Sequence, residues 1–258
     1  MPDTVFPTAV TRIAMLGDVH MNSRWTVSAV IQAARQGAHV IMQLGDFGYT
    51  FGDTFVEAVS EACRQNGIVL VFVDGNHENH HYLKTGQPGD PRLREIAPGI
   101  LHATRGFRWE WDGVRFLALG GAHSVDADHR RRYGFLWHKE ETITAWQAQA
   151  AISGGPVDVL VSHDCPAGVD IPGLTDGWPE FEIALADKHR SLLRTVVDKV
   201  RPYRIFHGHY HVRYQRFVDF GWGPMIVDGL DRDGDDMKQN LVIVETEDLR
   251  RVPAGSAG

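Results

Sequence analysis

Five short polar motifs in this sequence carry side chains able to hold metal ions: Gly17-Asp18-Val19-His20, Gly45-Asp46, Gly75-Asn76-His77-Glu78, Ser162-His163-Asp164 and Gly208-His209-Tyr210-His211. Imidazole nitrogen mixed with carboxylate and amide oxygen suits Mn, Fe, Zn or Co, whereas a Mg or Ca site would be nearly all oxygen. The candidate ligands Asp18, His20, Asp46, Asn76, His163, His209 and His211 are too many for one tetrahedral ion. They suffice for two divalent ions roughly 3.5 to 4 Å apart if one carboxylate bridges. Such a pair holds a hydroxide between the ions, neutralises phosphoryl oxygens and stabilises an in-line displacement. His77 is the candidate for protonating the leaving oxygen, with Glu78 as an orienting partner.

Those side chains need elements that aim them at one place. Ile13 to Leu16, Val40 to Leu44 and Ile68 to Val73 are nearly continuous apolar runs, as expected for strands buried on both faces, and each ends in a Gly-bearing break. In open α/β sheets the carboxyl ends of such strands face one crevice, so residues just past several strand ends can converge. Asp18 with His20, and His209 with His211, are spaced i, i+2, which in extended backbone puts both on one face and lets two ligands per segment reach one metal. Val27, Val30, Ile31 and Ala34, followed by Gly37, predict an amphipathic helix. Phe55, Ala58, Val59 and Ala62 predict another, with a capping box from Thr54 and Glu57 and a stop at Asn66-Gly67.

Further along, Leu101 to Ala103, Phe107 to Trp111 and Val114 to Leu119 read as short strands, the last two joined by the hairpin signal Asp112-Gly113. Residues 120 to 138 read as a long surface loop, followed by a helix from Lys139 to Ile152. Val157 to Val161, Tyr203 to Phe206, Tyr214 to Val218, Met225 to Val227 and Leu241 to Val244 predict strands, and Ala184 to Val200 a helix closed by Pro202. With no linker, long-period repeat or low-complexity tract, one domain over residues 1 to 252 is expected, and a disordered tail over 253 to 258.

Composition narrows the class. The 43% hydrophobic content supports a sizeable core, and the net charge of -7 argues against binding nucleic acid through bulk charge alone. Cys63 and Cys165 show no paired spacing, so neither a disulfide framework nor a thiolate zinc site is suggested. No signal-peptide run and no membrane-length apolar stretch is present, which points to a cytoplasmic protein without a membrane partner. Fourteen His, many in Gly-containing segments, invite a metal reading. Each motif alone has a plainer explanation: Gly-Asp-x-His as a strand-end turn, Asn76 as a helix cap, His209 and His211 as half-exposed strand residues. Those explanations do not account for the co-occurrence of all five motifs, each behind an apolar run.

In that order and combination the motifs resemble the calcineurin-like metallophosphoesterase family, whose signature is Gly-Asp-x-His, Gly-Asp, Gly-Asn-His-Asp/Glu, a later His and Gly-His-x-His; here they span residues 17 to 211. The resemblance implies a four-layer α/β/β/α sandwich of two mixed β-sheets flanked by helices. It implies one metal on Asp18, His20, Asp46 and His211, a second on Asp46, Asn76, His163 and His209 with Asp46 bridging, and His77 as proton donor. Mn is the foremost metal, with Fe, Zn or Co as alternatives. The protein Ser/Thr phosphatase branch carries Asp-Arg-Gly after the second motif and an Arg before Gly-Asn-His. Phe47-Gly48-Tyr49-Thr50 and Val73-Asp74 stand there instead, which leaves small phosphodiesters, phosphomonoesters or nucleic acid as substrates. Residues 120 to 137 look like a loop of small bacterial and phage members.

Arg130 and Arg131 in that loop are candidate substrate-phosphate contacts, since a guanidinium fork matches phosphate oxygens, and His123 could touch metal or substrate. A solvated charge run is the alternative. His80, His81 and His138 read as exposed helix or loop positions, His207 as a strand end, Trp109 and Trp111 as packing, and Cys165 as a bystander. The functional expectation is a dinuclear-metal phosphoesterase acting on a small nucleotide-like ester. A nuclease on the same centre is the alternative, and a non-catalytic scaffold a minor one. Oligomeric state is not legible.

Overall fold

The computed structural model describes residues 6 to 51, 54 to 85, 92 to 174 and 177 to 250; the tail expected at 253 to 258 lies outside them. In chain order the strands are β1 (Arg12–Leu16), β2 (Val40–Gln43), β3 (Val69–Phe72), β4 (Leu93–Ala97), β5 (Ile100–Ala103), β6 (Arg108–Trp111), β7 (Val114–Leu119), β8 (Val159–Ser162), β9 (Arg204–His207), β10 (Tyr214–Asp219), β11 (Pro224–Gly229) and β12 (Leu241–Glu245). The helices are α1 (Ser23–Arg35), α2 (Thr54–Asn66), α3 (His80–Leu83), α4 (Ala127–Tyr133), α5 (Ala145–Ser153), α6 (Glu180–Val200) and α7 (Met237–Asn240).

The strands form two six-stranded sheets, ordered β12-β1-β2-β3-β5-β4 and β10-β11-β9-β8-β7-β6. In each sheet the four central strands run parallel and the strand at either edge is antiparallel. Alternating side chains explain why the central strands read as unbroken apolar runs. Ile13, Met15, Val40, Met42 and Val71 meet Phe116, Ala118, Val159, Val161 and Phe206 between the sheets. Ala14, Leu16, Ile41, Leu70 and Phe72 pack on the other side against Ala29, Val30, Val59 and Cys63 of α1 and α2. Leu117, Leu160 and Ile205 pack against Ala148, Ala151, Leu193 and Val197 of α5 and α6. Three apolar layers between four layers of elements make the two-sheet sandwich that the family resemblance implied. Trp109 and Trp111 are buried in the inter-sheet layer, and the Trp111 Nε1–H donates to Pro7 O at 2.7 Å.

Several local expectations need correction. The α1 stripe that reaches the core is Thr26, Ala29, Val30 and Ala33, one position behind the pattern read from Val27. Thr54 is already the first helical residue of α2, and the residue before it lies outside the described residues. Residues 120 to 138 are not a surface loop: Gly121 to Ser124 are buried and α4 forms within the stretch. The helix expected from Lys139 breaks after a 3₁₀ turn at Lys139–Glu141, because Thr144 and Gln147 form a capping box that starts α5 anew. α6 begins at Glu180, four residues before Ala184, and the short elements α3, β4 and α7 had no periodic signal. His80 is buried rather than exposed, bonded through Nδ1 to Thr85 Oγ1 at 2.8 Å.

One polar cluster inside the sandwich fixes the loop after β3. Asp74 is fully buried, and Arg105 grips its Oδ2 through Nε at 2.8 Å and Nη2 at 2.6 Å. The remaining guanidinium donors reach Thr142 O at 2.8 Å, Gln147 Oε1 at 3.2 Å and the Glu140 and Glu141 carbonyls at 2.8 and 3.0 Å. Burial alone would raise the Asp74 carboxyl, but Arg105 and His102 overcome it and hold it far below the usual carboxylate range. Removing one partner strands a buried charge. Arg105→Ala is therefore expected to cost about 3 to 5 kcal/mol in chemical denaturation, and Asp74→Ala/Arg105→Ala less than the sum of the single changes. Additive losses would show that the pair does not act as a unit.

Candidate metal centre

All five motifs leave the carboxyl ends of parallel strands: Asp18 follows β1, Asp46 β2, Asn76 β3, His163 β8 and His209 β9. The candidate ligands converge at the seam between the sheets. One group of donor atoms is Asp18, His20 and His211, and another is Asp18, Asp46 and His163, with the atoms of each group within 4.8 Å of one another. Around the first, Asp18 Oδ2 lies 3.1 Å from His211 Nε2 and 3.9 Å from His20 Nε2. Asp46 Oδ2 is 3.6 Å from His20 Nε2, whereas Asp46 Oδ1 is 3.5 Å from His163 Nε2. Asp46 thus turns one oxygen toward each side. Asn76 Oδ1 is 2.9 Å from His163 Nε2, and the His163 and His209 ring centroids are 4.9 Å apart. Asp18 is common to the two triads, while Asp46 is the carboxylate with an oxygen for each of two imidazoles.

The i, i+2 spacing does not act here through extended backbone. His20, His209 and His211 have φ of 43°, 70° and 52°, so their segments are left-handed turns rather than extended backbone. Asp46 shares the property at φ 54°. The turn after β9 sends His209 to His163 and His211 to His20, whose ring centroid lies 5.0 Å from that of His211, so the two do not face one centre together. Side chains other than Gly adopt such backbone rarely, and their gathering here marks a place where chain geometry serves ligand placement.

Space is equally constrained. A Cβ at Gly45 would stand 2.3 Å from His163 Nδ1, one at Gly75 2.2 Å from Asp46 Oδ1, and one at Gly208 2.1 Å from Asp18 Oδ1. The motif glycines are clearances for the neighbouring donor. Asp18 and Asp46 are buried, and their only ion-pair partners among the described residues are imidazoles, with no Lys or Arg. Buried carboxylates are ordinarily paired or bind metal, so this donor set fits divalent cations. Burial would push the His20 imidazole down, but Asp46, Asp18 and Asp233 outweigh it and hold it up at about 10: the pocket draws positive charge onto whatever can carry it. Burial and the neighbouring His163 push His209 down to about 3, leaving its lone pair available.

Outer partners set tautomers. His163 Nδ1 lies 2.7 Å from Leu44 O and so donates there, which bares Nε2. His20 Nδ1 lies 2.7 Å from Asp233 Oδ1, and Asn22 Nδ2, from the residue capping α1, holds Asp233 Oδ2 at 2.8 Å. The Asn76 Nδ2–H donates to Ser124 Oγ at 2.9 Å, which points its carbonyl oxygen toward His163; Ser124 in turn donates to Glu141 Oε2 at 3.0 Å. Asp233, Ser124 and Glu141 escaped the sequence reading. Asp233 follows β11, another parallel strand, so its position alone could have flagged it.

Other expected site residues lie as follows. The His77 backbone N–H donates to Asp46 Oδ1 at 2.9 Å, and its ring borders the cavity beside His20 and Tyr49, with centroids 6.4 and 5.7 Å away. Burial is the main force lowering the His77 imidazole, with Asp46 opposing and Arg130 adding. Glu78 accepts from the backbone N–H groups of Phe47 and Gly75, each at 2.6 Å, so it clasps two ligand loops rather than the His77 ring. Arg130 is buried and donates to Ser124 Oγ at 2.7 Å and Leu136 O at 2.9 Å. His123 Nε2 pairs with Glu182 at 2.6 Å and Arg131 reaches the same carboxylate at 3.2 Å; both residues line a different hollow. No helix among the described residues is long and apolar enough to cross a membrane.

A family model described as calcineurin-like phosphoesterase matches residues 11–213. The lariat debranching enzyme of Schizosaccharomyces pombe is 24% identical over 164 residues, covering 58% of this chain and 35% of that protein, so the chain spans about a third of that relative's length. Among solved structures, TT1561 of Thermus thermophilus is similar with a TM-score of 0.55 at 13% identity, covering 94% of this chain and 100% of that one. A dimetal phosphatase from Danio rerio gives 0.51 at 15% identity, covering 87% and 88%. At those identities the likeness speaks for the fold alone.

Asp233→Ala should weaken metal affinity about 10- to 100-fold, the usual effect of removing a carboxylate behind a ligating His, without unfolding the protein. Equilibrium titration with Mn²⁺ followed by elemental analysis reads this directly. Asp46→Ala should lower the bound metal by more than His20→Ala does; equal losses would contradict an Asp46 that serves both sides.

Proposed function

Since this chain belongs to the calcineurin-like phosphoesterase family, we propose that it is a phosphoesterase that hydrolyses phosphodiester bonds, with phosphomonoesters as a lesser activity, in small nucleotide-like substrates. One divalent ion would be held by Asp18, His20, Asp46 and His211, and the other by Asp46, Asn76, His163 and His209, with Mn the foremost candidate and Fe, Zn or Co as alternatives. The observation that carries the reading is the Asp46 carboxylate, with one oxygen 3.6 Å from His20 Nε2 and the other 3.5 Å from His163 Nε2. When bound, the ions supply Lewis acidity toward phosphoryl oxygens and a lowered pKa for water.

The chain's own residues do the rest. The Asp46 Oδ1 acceptor fixes the His77 backbone, and the ring above it faces the cavity where an ester would lie. The Asp126 carboxylate and Arg130 bear on the charge of His77 from the loop side. A negatively charged ester in the cleft raises an imidazole's pKa, which counters the depression by burial and favours the proton His77 hands to the leaving oxygen. Burial of Asn76 and His163 excludes water from the inner side of the site.

A nuclease on the same centre draws support from the relative named as a lariat debranching enzyme. The net charge of -7 weighs toward a small ester instead. A scaffold without activity would not need two buried carboxylates whose ion-pair partners among the described residues are all imidazoles. A cytoplasmic setting is part of the same reading.

Hydrolysis of bis(p-nitrophenyl) phosphate by the purified protein should depend on added Mn²⁺ and exceed that of the monoester; absence of metal-stimulated turnover on both would defeat the proposal. His77→Ala should lower the diester rate about 100- to 10,000-fold while metal content is kept. Cleavage of oligonucleotides with steep salt dependence, in preference to small diesters, would favour the nuclease instead.

A further inference from the structure

The cleft over the candidate ligands is lined by further residues whose capacity to bind a substrate the chemistry above does not use. Its cavity of about 310 Å³ is lined by Asp46, Asn76, His77 and His211, and also by Asp126, Leu174 and Trp178. A neighbouring hollow of about 420 Å³ shares Val125, Asp126 and Trp178 with it and continues toward His129 and Tyr133. Trp178 and Asp126 therefore stand where the two spaces join.

Both residues are available for a ligand. Trp178 is 44% exposed and stands one residue before Pro179, which caps the long helix α6. A large apolar side chain left to water beside a candidate reaction site is a binding surface in waiting. Asp126 occupies the N-cap position of α4 but makes no capping hydrogen bond. Glu182 takes the place a capping Asp would fill, accepting the Asp128 N–H at 2.9 Å. Among the described residues the ion-pair partner of the Asp126 carboxylate is Arg130 Nη1 at 3.9 Å, beyond hydrogen-bond distance. It keeps acceptor capacity toward the cleft.

An indole paired with a carboxylate acceptor selects against a second phosphate, which the carboxylate repels, and for a flat π-system that bears N–H donors. Nucleobases with an exocyclic amine have both properties, and base stacking on aromatic side chains is tolerant of base identity. We infer that Trp178 and Asp126 form a nucleobase subsite, Trp178 stacking on the base and Asp126 accepting from its amine, while the phosphate lies at the candidate metal ligands. The inference rests on the phosphoesterase reading and narrows it to substrates in which a nucleoside is attached to the scissile phosphate.

The test compares AMP with ribose 5-phosphate, which differ only in the base, by calorimetric binding to the Mn²⁺-loaded protein. AMP should bind about tenfold tighter, as expected for one stacked base. Trp178→Ala should bring the ratio of the two affinities close to one, Trp178→Phe should keep most of it, and Asp126→Ala should lower it in part. A ratio near one in the wild type, or one that Trp178→Ala leaves intact, overturns the subsite while ribose 5-phosphate binding still upholds the phosphoesterase reading. If neither phosphate binds and bis(p-nitrophenyl) phosphate is not turned over, that reading falls, and the subsite with it.

Discussion

Two carboxylates sealed from water at the seam of two sheets, answered among the described residues by imidazoles, are the constraint on which the rest of this structure depends. Asp18 and Asp46 could not be kept there ionised without positive charge close by, and among the described residues no guanidinium or ammonium pairs with either. What the protein supplies instead are nitrogen donors whose lone pairs are freed by outer acceptors, Leu44 O behind His163 and Asp233 behind His20. The site is a charge deficit with its geometry already set.

That geometry is held by stiff surroundings. Left-handed residues at His20, Asp46, His209 and His211 would relax in a loose loop. Here the Glu78 carboxylate clasps the loops after β2 and β3, and the Asp74–Arg105 pair anchors the latter to backbone of residues 140 to 142. The sequence expresses the same tightness as glycine: Gly45, Gly75 and Gly208 precede donors because a methyl group would collide with one.

How much of this could be read from the sequence follows from the range of each interaction. β1, β2, β3 and β8 were legible because burial on both faces leaves an unbroken apolar run, and burial depends little on distant detail. The convergence of Asp18, Asp46, Asn76 and His163 followed from their places at strand ends. Local patterns mislead where they meet a distant partner. Residues 120 to 138 look polar and loop-like, yet Ser124, Arg130 and Glu141 satisfy one another in the interior. Asp233 looks like one acid in an acidic turn, and only the fold brings it to His20 from 213 positions away. The residue types of His123 and Arg131 suit substrate, but the Glu182 that claims them belongs to a helix whose start at Glu180 carries no periodic signal.

The division of the donor-bearing strands between the two six-stranded sheets has a mechanical meaning. β1, β2 and β3 belong to one sheet and β8 and β9 to the other, so the donors they carry straddle the joint. Ions seated among them would act as rivets, fastening two halves otherwise joined by apolar contact and a few polar ties. Folding and ion uptake would then be linked: cation availability would set the melting temperature, and chelation would loosen the weld first where the sheets meet.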